Sequence, residues 1–145
     1  MKQIVIVNAH WSNRGDEAAL RAIIDRILEL VEEAKITVIF KEKGEIFQFP
    51  YRSDIEFVNL RFLPTYVQVW KALFTRGKWI ENQDMKKTVD IIKCADLVIY
   101  APGGAVISDR FWWKKQLEYL FPMAYAEELK IPVFMAAPSI GPFYQ

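Results

Sequence analysis

The residue types best suited to chemistry gather near the start of this 145-residue chain, in Asn8-Ala9-His10-Trp11-Ser12-Asn13-Arg14-Gly15-Asp16-Glu17. Two adjacent carboxylates, the single histidine, a guanidinium and a glycine share one short turn. Carboxylates accept hydrogen bonds or take protons, histidine titrates near neutrality, and Arg pairs well with phosphate. Gly15 permits a close approach that a side chain would block. Each residue also has a plainer use. Asp16 or Asn13 can cap a helix, Arg14 can be a solvated cation, and His10 can make a structural hydrogen bond.

Two further stretches carry similar chemistry. Pro102-Gly103-Gly104 is a tight turn, and Asp109 stands five residues past Gly104. Ser139-Ile140-Gly141-Pro142 is a third polar turn. Bare backbone at Gly103, Gly104 and Gly141 suits either a simple turn or an approaching ligand. Phe111, Trp112, Trp113 and Tyr119 read as core or interface, or as rings for the apolar face of a sugar.

The elements that must position these turns follow from the apolar pattern. Lys2 to Asn8, Ile36 to Phe40, Ile55 to Leu60, Leu97 to Tyr100 and Pro132 to Ala137 are short, β-branched or apolar runs, as in strands buried on both faces. Asp16 to Glu33, Pro64 to Phe74, Asp84 to Cys94 and Trp112 to Leu129 repeat apolar residues at helical spacing. Pro64 suits a first turn, whereas Pro122 should kink or break its helix. Lys41 to Asp54 reads as a charged loop. The alternation predicts an α/β fold: a doubly wound, mainly parallel Rossmann-like sheet of about five strands with helices on both faces. All three turns then follow strands at the carboxyl edge of the sheet, where one crevice can border them.

Composition narrows the function. Net charge is +1, so neither a nucleic-acid stripe nor an acidic-ligand funnel is expected. The first turn lacks G-x-G-x-x-G, and Phe40-Lys41 ends the second strand where a ribose-binding acid would stand. It lacks the P-loop pattern as well. One histidine and one cysteine, Cys94, supply no His/Cys cluster for a catalytic zinc, and no cofactor is expected. Cys94 reads as a small buried apolar residue. The first strand starts almost at Met1, and no apolar run reaches the ~18 residues of a membrane span. A reduced, cytoplasmic setting is therefore expected.

Phe62 to Trp79 mixes aromatics with Arg61, Lys71, Arg76 and Lys78. It reads as a helix covering the sheet, as a face for a partner domain, or as a peripheral membrane contact through residues 62–79 at the inner face of the membrane.

Three segments taken together resemble the polysaccharide pyruvyl transferase family. Asn13-Arg14-Gly15-Asp16-Glu17-Ala18-Ala19-Leu20 is similar to its N-x-G-D-E-A-x-L signature. Ala101-Pro102-Gly103-Gly104-Ala105-Val106-Ile107-Ser108-Asp109 is similar to its glycine-rich segment ending in aspartate, with Pro102 in place of the usual first glycine. Ala137-Pro138-Ser139-Ile140-Gly141-Pro142-Phe143 resembles its I-G-P segment. The resemblance implies one lobe of a two-lobed GT-B-like architecture, residues 1–145 being the amino-terminal, acceptor-side domain. It implies transfer of pyruvate from phosphoenolpyruvate to a sugar of a cell-surface polysaccharide or its lipid-linked precursor. Phosphoenolpyruvate would sit in a second lobe, and this domain alone would be inactive. Asp16, Glu17 and Asp109 become candidate catalytic groups. His10, Asn13, Arg14, Gly15, Gly103, Gly104, Ser139 and Gly141 become candidate acceptor-binding residues. Half of a GT-B glycosyltransferase, or a non-catalytic module binding carbohydrate or protein, remains the alternative.

Overall fold

The computed structural model describes residues 1–10, 14–41, 54–103, 105–107, 113–136 and 139–140, with backbone alone at 105–107, 113–115 and 139–140. β1 (Lys2–Ala9), α1 (Arg14–Leu30), β2 (Ala34–Phe40), β3 (Ile55–Asn59), α2 (Tyr66–Phe74) and α3 (Gln83–Lys93) come first. β4 (Leu97–Tyr100), β5 (Ala105–Ile107), α4 (Trp113–Glu128), β6 (Val133–Met135) and β7 (Ser139–Ile140) follow. Five strands form one sheet in the order β3-β2-β1-β4-β6, and every pairing is parallel. The expected α/β Rossmann-like architecture is therefore present.

Alternation along the strands sorts the core into two layers. Ile4, Ile6, Ile36, Val38, Phe40 and Ile99 pack with Leu20, Ile24 and Ile27 of α1. Val5, Val7, Ile39 and Val98 point the other way, into a layer with Val69, Ala72, Met85, Val89, Ile92, Phe121 and Tyr125 from α2, α3 and α4. Burial on both faces explains why these strands are almost continuously apolar.

Several local expectations are corrected. α1 begins at Arg14, which puts Asp16 inside the first turn, and it closes before Glu33, whose φ is +58°. α2 starts after Pro64: Thr65 is its N-cap, and Thr65 with Gln68 forms a reciprocal capping box. β6 is a three-residue edge strand, with Phe134 59% and Met135 41% exposed, so it is not buried. Cys94 lies exposed at the C-cap of α3. Pro122 lies inside α4 without ending it. Most of the charged 41–54 loop lies outside the described residues.

Candidate functional site

Strand order reverses beside β1. The chain moves from β1 outward to β2 and β3, then returns to place β4 on the other side of β1. At such a switch point the loops leaving the two strands part and open a crevice at their carboxyl ends. Val7 pairs with Tyr100 at that edge, so the turn after β1 and the turn after β4 emerge as neighbours.

They touch through Asp16 and Gly103. Gly103 has φ +90°, a conformation that side chains resist, and the Asp16 carboxylate fills the space its Cβ would need. The segments after β4 and before the end of the chain are joined as well, because Ala105 and Ile107 of β5 pair in parallel with Ser139 and Ile140 of β7. Asp16, Gly103 and the Ser139 backbone thus belong to connected loops.

The other expected residues fall as follows. Gly15 and Arg14 are exposed at the start of α1. Glu17 is engaged along the helix, its Oε1 accepting from Arg21 Nε at 3.0 Å and Nη2 at 2.6 Å. Arg14, Glu17, Ala18 and Arg21 line a shallow open groove. Asn13, Gly104, Asp109 and Gly141 lie outside the described residues, as do Phe111 and Trp112. His10 is half-buried after β1, with its Nε2 3.4 Å from the Tyr119 hydroxyl of α4 and the two rings tilted at 54°.

Beneath this pair lies a buried polar cluster that the pattern of residues did not reveal. Asn8 is 1% exposed yet adopts φ +58°. The other non-glycine residues of positive φ among those described, Glu33, Arg76 and Lys130, all follow helices. Asn8 instead sits on a strand, where the β1–β2 register shifts between Ile6 and Ala9. Bulges of this kind re-aim side chains and recur beside functional sites. Asn8 Nδ2 donates to the Tyr119 carbonyl at 2.8 Å, and its buried Oδ1 has no hydrogen-bond partner among the described residues.

Lys41, at the end of β2, has a side chain only 2% exposed. Its Nζ donates to the Glu118 carbonyl at 2.5 Å and lies 3.9 Å from Glu118 Oε1. The ammonium also stands 5.3 Å from the ring centroids of both Phe62 and Tyr119. Burial pushes the Lys41 amine down to about 7, and the Glu118 carboxylate pulls it back upward. Burial likewise pushes the Tyr100 phenol well above its usual value. Asn8 and Lys41 thus grip consecutive carbonyls of α4, and that grip sets the Tyr119 ring beside His10.

A parallel Rossmann-like sheet whose strand order reverses beside β1, with the acidic start of α1 against Gly103 of the turn after β4, defines the class. The family model of polysaccharide pyruvyl transferases matches residues 13–145, and the chain belongs to that family. No curated protein matches it. A solved structure described as a ugt transferase from Siraitia grosvenorii in complex with UDP is similar to it at 16% identity, with a TM-score of 0.49. That likeness covers 93% of this chain and 27% of the other, so the chain spans about a quarter of that structure's length.

Proposed function

We propose that this chain is the amino-terminal, acceptor-side lobe of a two-lobed, GT-B-like pyruvyl transferase. It would work in the cytoplasm at the inner face of the membrane on a polysaccharide sugar or its lipid-linked precursor. The observation that carries this reading is the contact of Asp16 with Gly103, which joins two of the three family segments at the switch point.

In the reaction, C3 of phosphoenolpyruvate gains a proton and becomes a methyl group. An acceptor hydroxyl bonds to C2 and gives up its proton to a base. A second hydroxyl of the same sugar then displaces phosphate from C2, closing a cyclic ketal, and its proton leaves with the phosphate. That sequence needs an acid to give C3 its proton, a base on the acceptor side and cations for the phosphate. Asp16, Glu17 and Asp109 are the acceptor-side carboxylates. Glu17 is the least free of the described two, since Arg21 already occupies one of its oxygens. His10, Asn13, Arg14, Gly15, Gly103, Gly104, Ser139 and Gly141 form the walls. Phosphoenolpyruvate belongs to the second lobe.

The test supplies the full-length protein with phosphoenolpyruvate and a panel of acceptor sugars and follows phosphate release. Release that requires both substrates is expected. Turnover of nucleotide sugars with no phosphate release from phosphoenolpyruvate would replace this reading with a glycosyltransferase.

A further inference from the structure

α2 is apolar on two sides. Val69 and Ala72 are buried, and Leu73 packs beside them in the core. Leu63, Tyr66, Val67, Trp70 and Phe74 form a second stripe at helical spacing, and all five are more than half exposed, as is Trp79 beyond the helix. A surface helix of a globular protein needs one apolar stripe, and a contiguous exposed second one marks an interaction surface. Trp70 and Phe74 stack with centroids 5.1 Å apart and planes 16° apart, forming one flat plate on that face.

Cations dominate the charge beside the plate, with Glu81 the one acidic residue lining the small pocket it shares with Lys71 and Trp79. From Phe57 through Ile80 the sequence holds Arg61, Lys71, Arg76 and Lys78 and no acidic residue. All four cations are exposed. Among the described residues no helix is long and apolar enough to cross a membrane.

We propose that the outer face of α2 rests on an anionic lipid bilayer. Trp70, Phe74, Tyr66 and Trp79 lie at headgroup depth, where amphipathic rings are favoured. Leu63 and Val67 enter the acyl boundary, and the Lys and Arg side chains lay their stems along the apolar surface while reaching lipid phosphates. The four cations outnumber Glu81 on this face and select a negative surface over a neutral one. The inference rests on α2 and its flanking residues 61–79 and sharpens the membrane setting of the proposed transferase without depending on the group transferred.

The experiment sediments the full-length protein with phosphatidylcholine vesicles, with and without phosphatidylglycerol, in the absence of phosphoenolpyruvate and acceptor. Binding is expected only with the anionic lipid and should weaken as salt rises. The Trp70→Ser/Phe74→Ser variant should lose about tenfold in vesicle affinity, as two large rings leave the interface, with its melting temperature unchanged. The Lys71→Glu/Arg76→Glu/Lys78→Glu variant should lose its preference for anionic lipid. Equal binding to both vesicle types, or undiminished binding by the ring variant, overturns the proposal. So does a dimer in solution that the ring variant dissolves while wild type ignores vesicles; that result assigns the face to a second copy. Lipid binding is read without catalysis, so its failure leaves the transfer reading standing, and the reverse also holds.

Discussion

Lys41 Nζ donates to the Glu118 carbonyl, supplying the hydrogen bond that Pro122, four residues further along α4, has no N–H to give. A proline inside a helix leaves the carbonyl one turn back without its donor, and an unpaired buried carbonyl is costly. Lys41 meets that need at the cost of burying its own charge, which Glu118 and two aromatic faces partly compensate.

Stability should therefore depend on pH through Lys41. Its folded-state value is about 7 against 10.5 for the free side chain. Between those values the unfolded chain holds a proton that the folded chain has released, so this group makes the folded state more stable as pH rises. Below pH 7 both states are protonated and the full penalty of burying the charge applies. Denaturant unfolding at pH 6 to 9.5 should show wild type gaining stability relative to Lys41→Met as pH increases. Parallel curves would show that Lys41 stays charged in the fold.

The Gly103 position should tolerate no side chain. Gly103→Ala places a Cβ at positive φ and into the Asp16 carboxylate, and a loss of more than about 1 kcal/mol is expected. Part of that loss is steric, so Gly103→Ala should be less harmful in an Asp16→Gly background. A double-mutant cycle measures this coupling, and strict additivity would contradict the contact.

Asp16→Asn separates chemistry from helix support. Asp16 lies in the first turn of α1, where a carboxylate contributes up to about 1 kcal/mol through the helix dipole. If it takes the acceptor proton, phosphate release should fall by about 100-fold or more while stability changes by no more than that amount. Retained turnover with reduced stability would leave Asp16 a purely structural role.

Asn8 should rank its replacements by backbone conformation. Asn8→Ala and Asn8→Gly both remove the donor to the Tyr119 carbonyl, but only Ala must also carry a Cβ at φ +58°. The Ala variant should be the less stable by about 1 kcal/mol. Thermal unfolding checks the order, and equal losses would mean the backbone there relaxes.

The sheet was legible because strands buried on both faces must be apolar throughout, and Ile4 to Val7, Ile36 to Phe40 and Leu97 to Tyr100 satisfy that rule locally. The capping box was equally present in the sequence as Thr65 and Gln68, though Pro64 drew the helix start two positions too early. The buried cluster is of another kind. Lys41 opens a charged stretch and reads as solvated, and only a carbonyl 77 positions away, freed by Pro122, accounts for its burial. The left-handed backbone of Asn8 leaves no mark on composition, because an apolar strand ending in Asn looks like any other. β6 misled through its content: Val133, Phe134 and Met135 are apolar like a central strand, but their place at the edge leaves two of them largely uncovered.

That edge has a further consequence. β6 pairs with β4 on one side, and among the described residues no strand pairs with it on the other. Its outer backbone groups, flanked by the exposed Phe134 and Met135 side chains, form a template onto which another extended segment can add. In concentrated solution two copies of this 145-residue chain should join strand to strand there, visible as scattering that grows with concentration. Phe134→Lys should suppress it, since a charge at a sheet margin opposes such zippering.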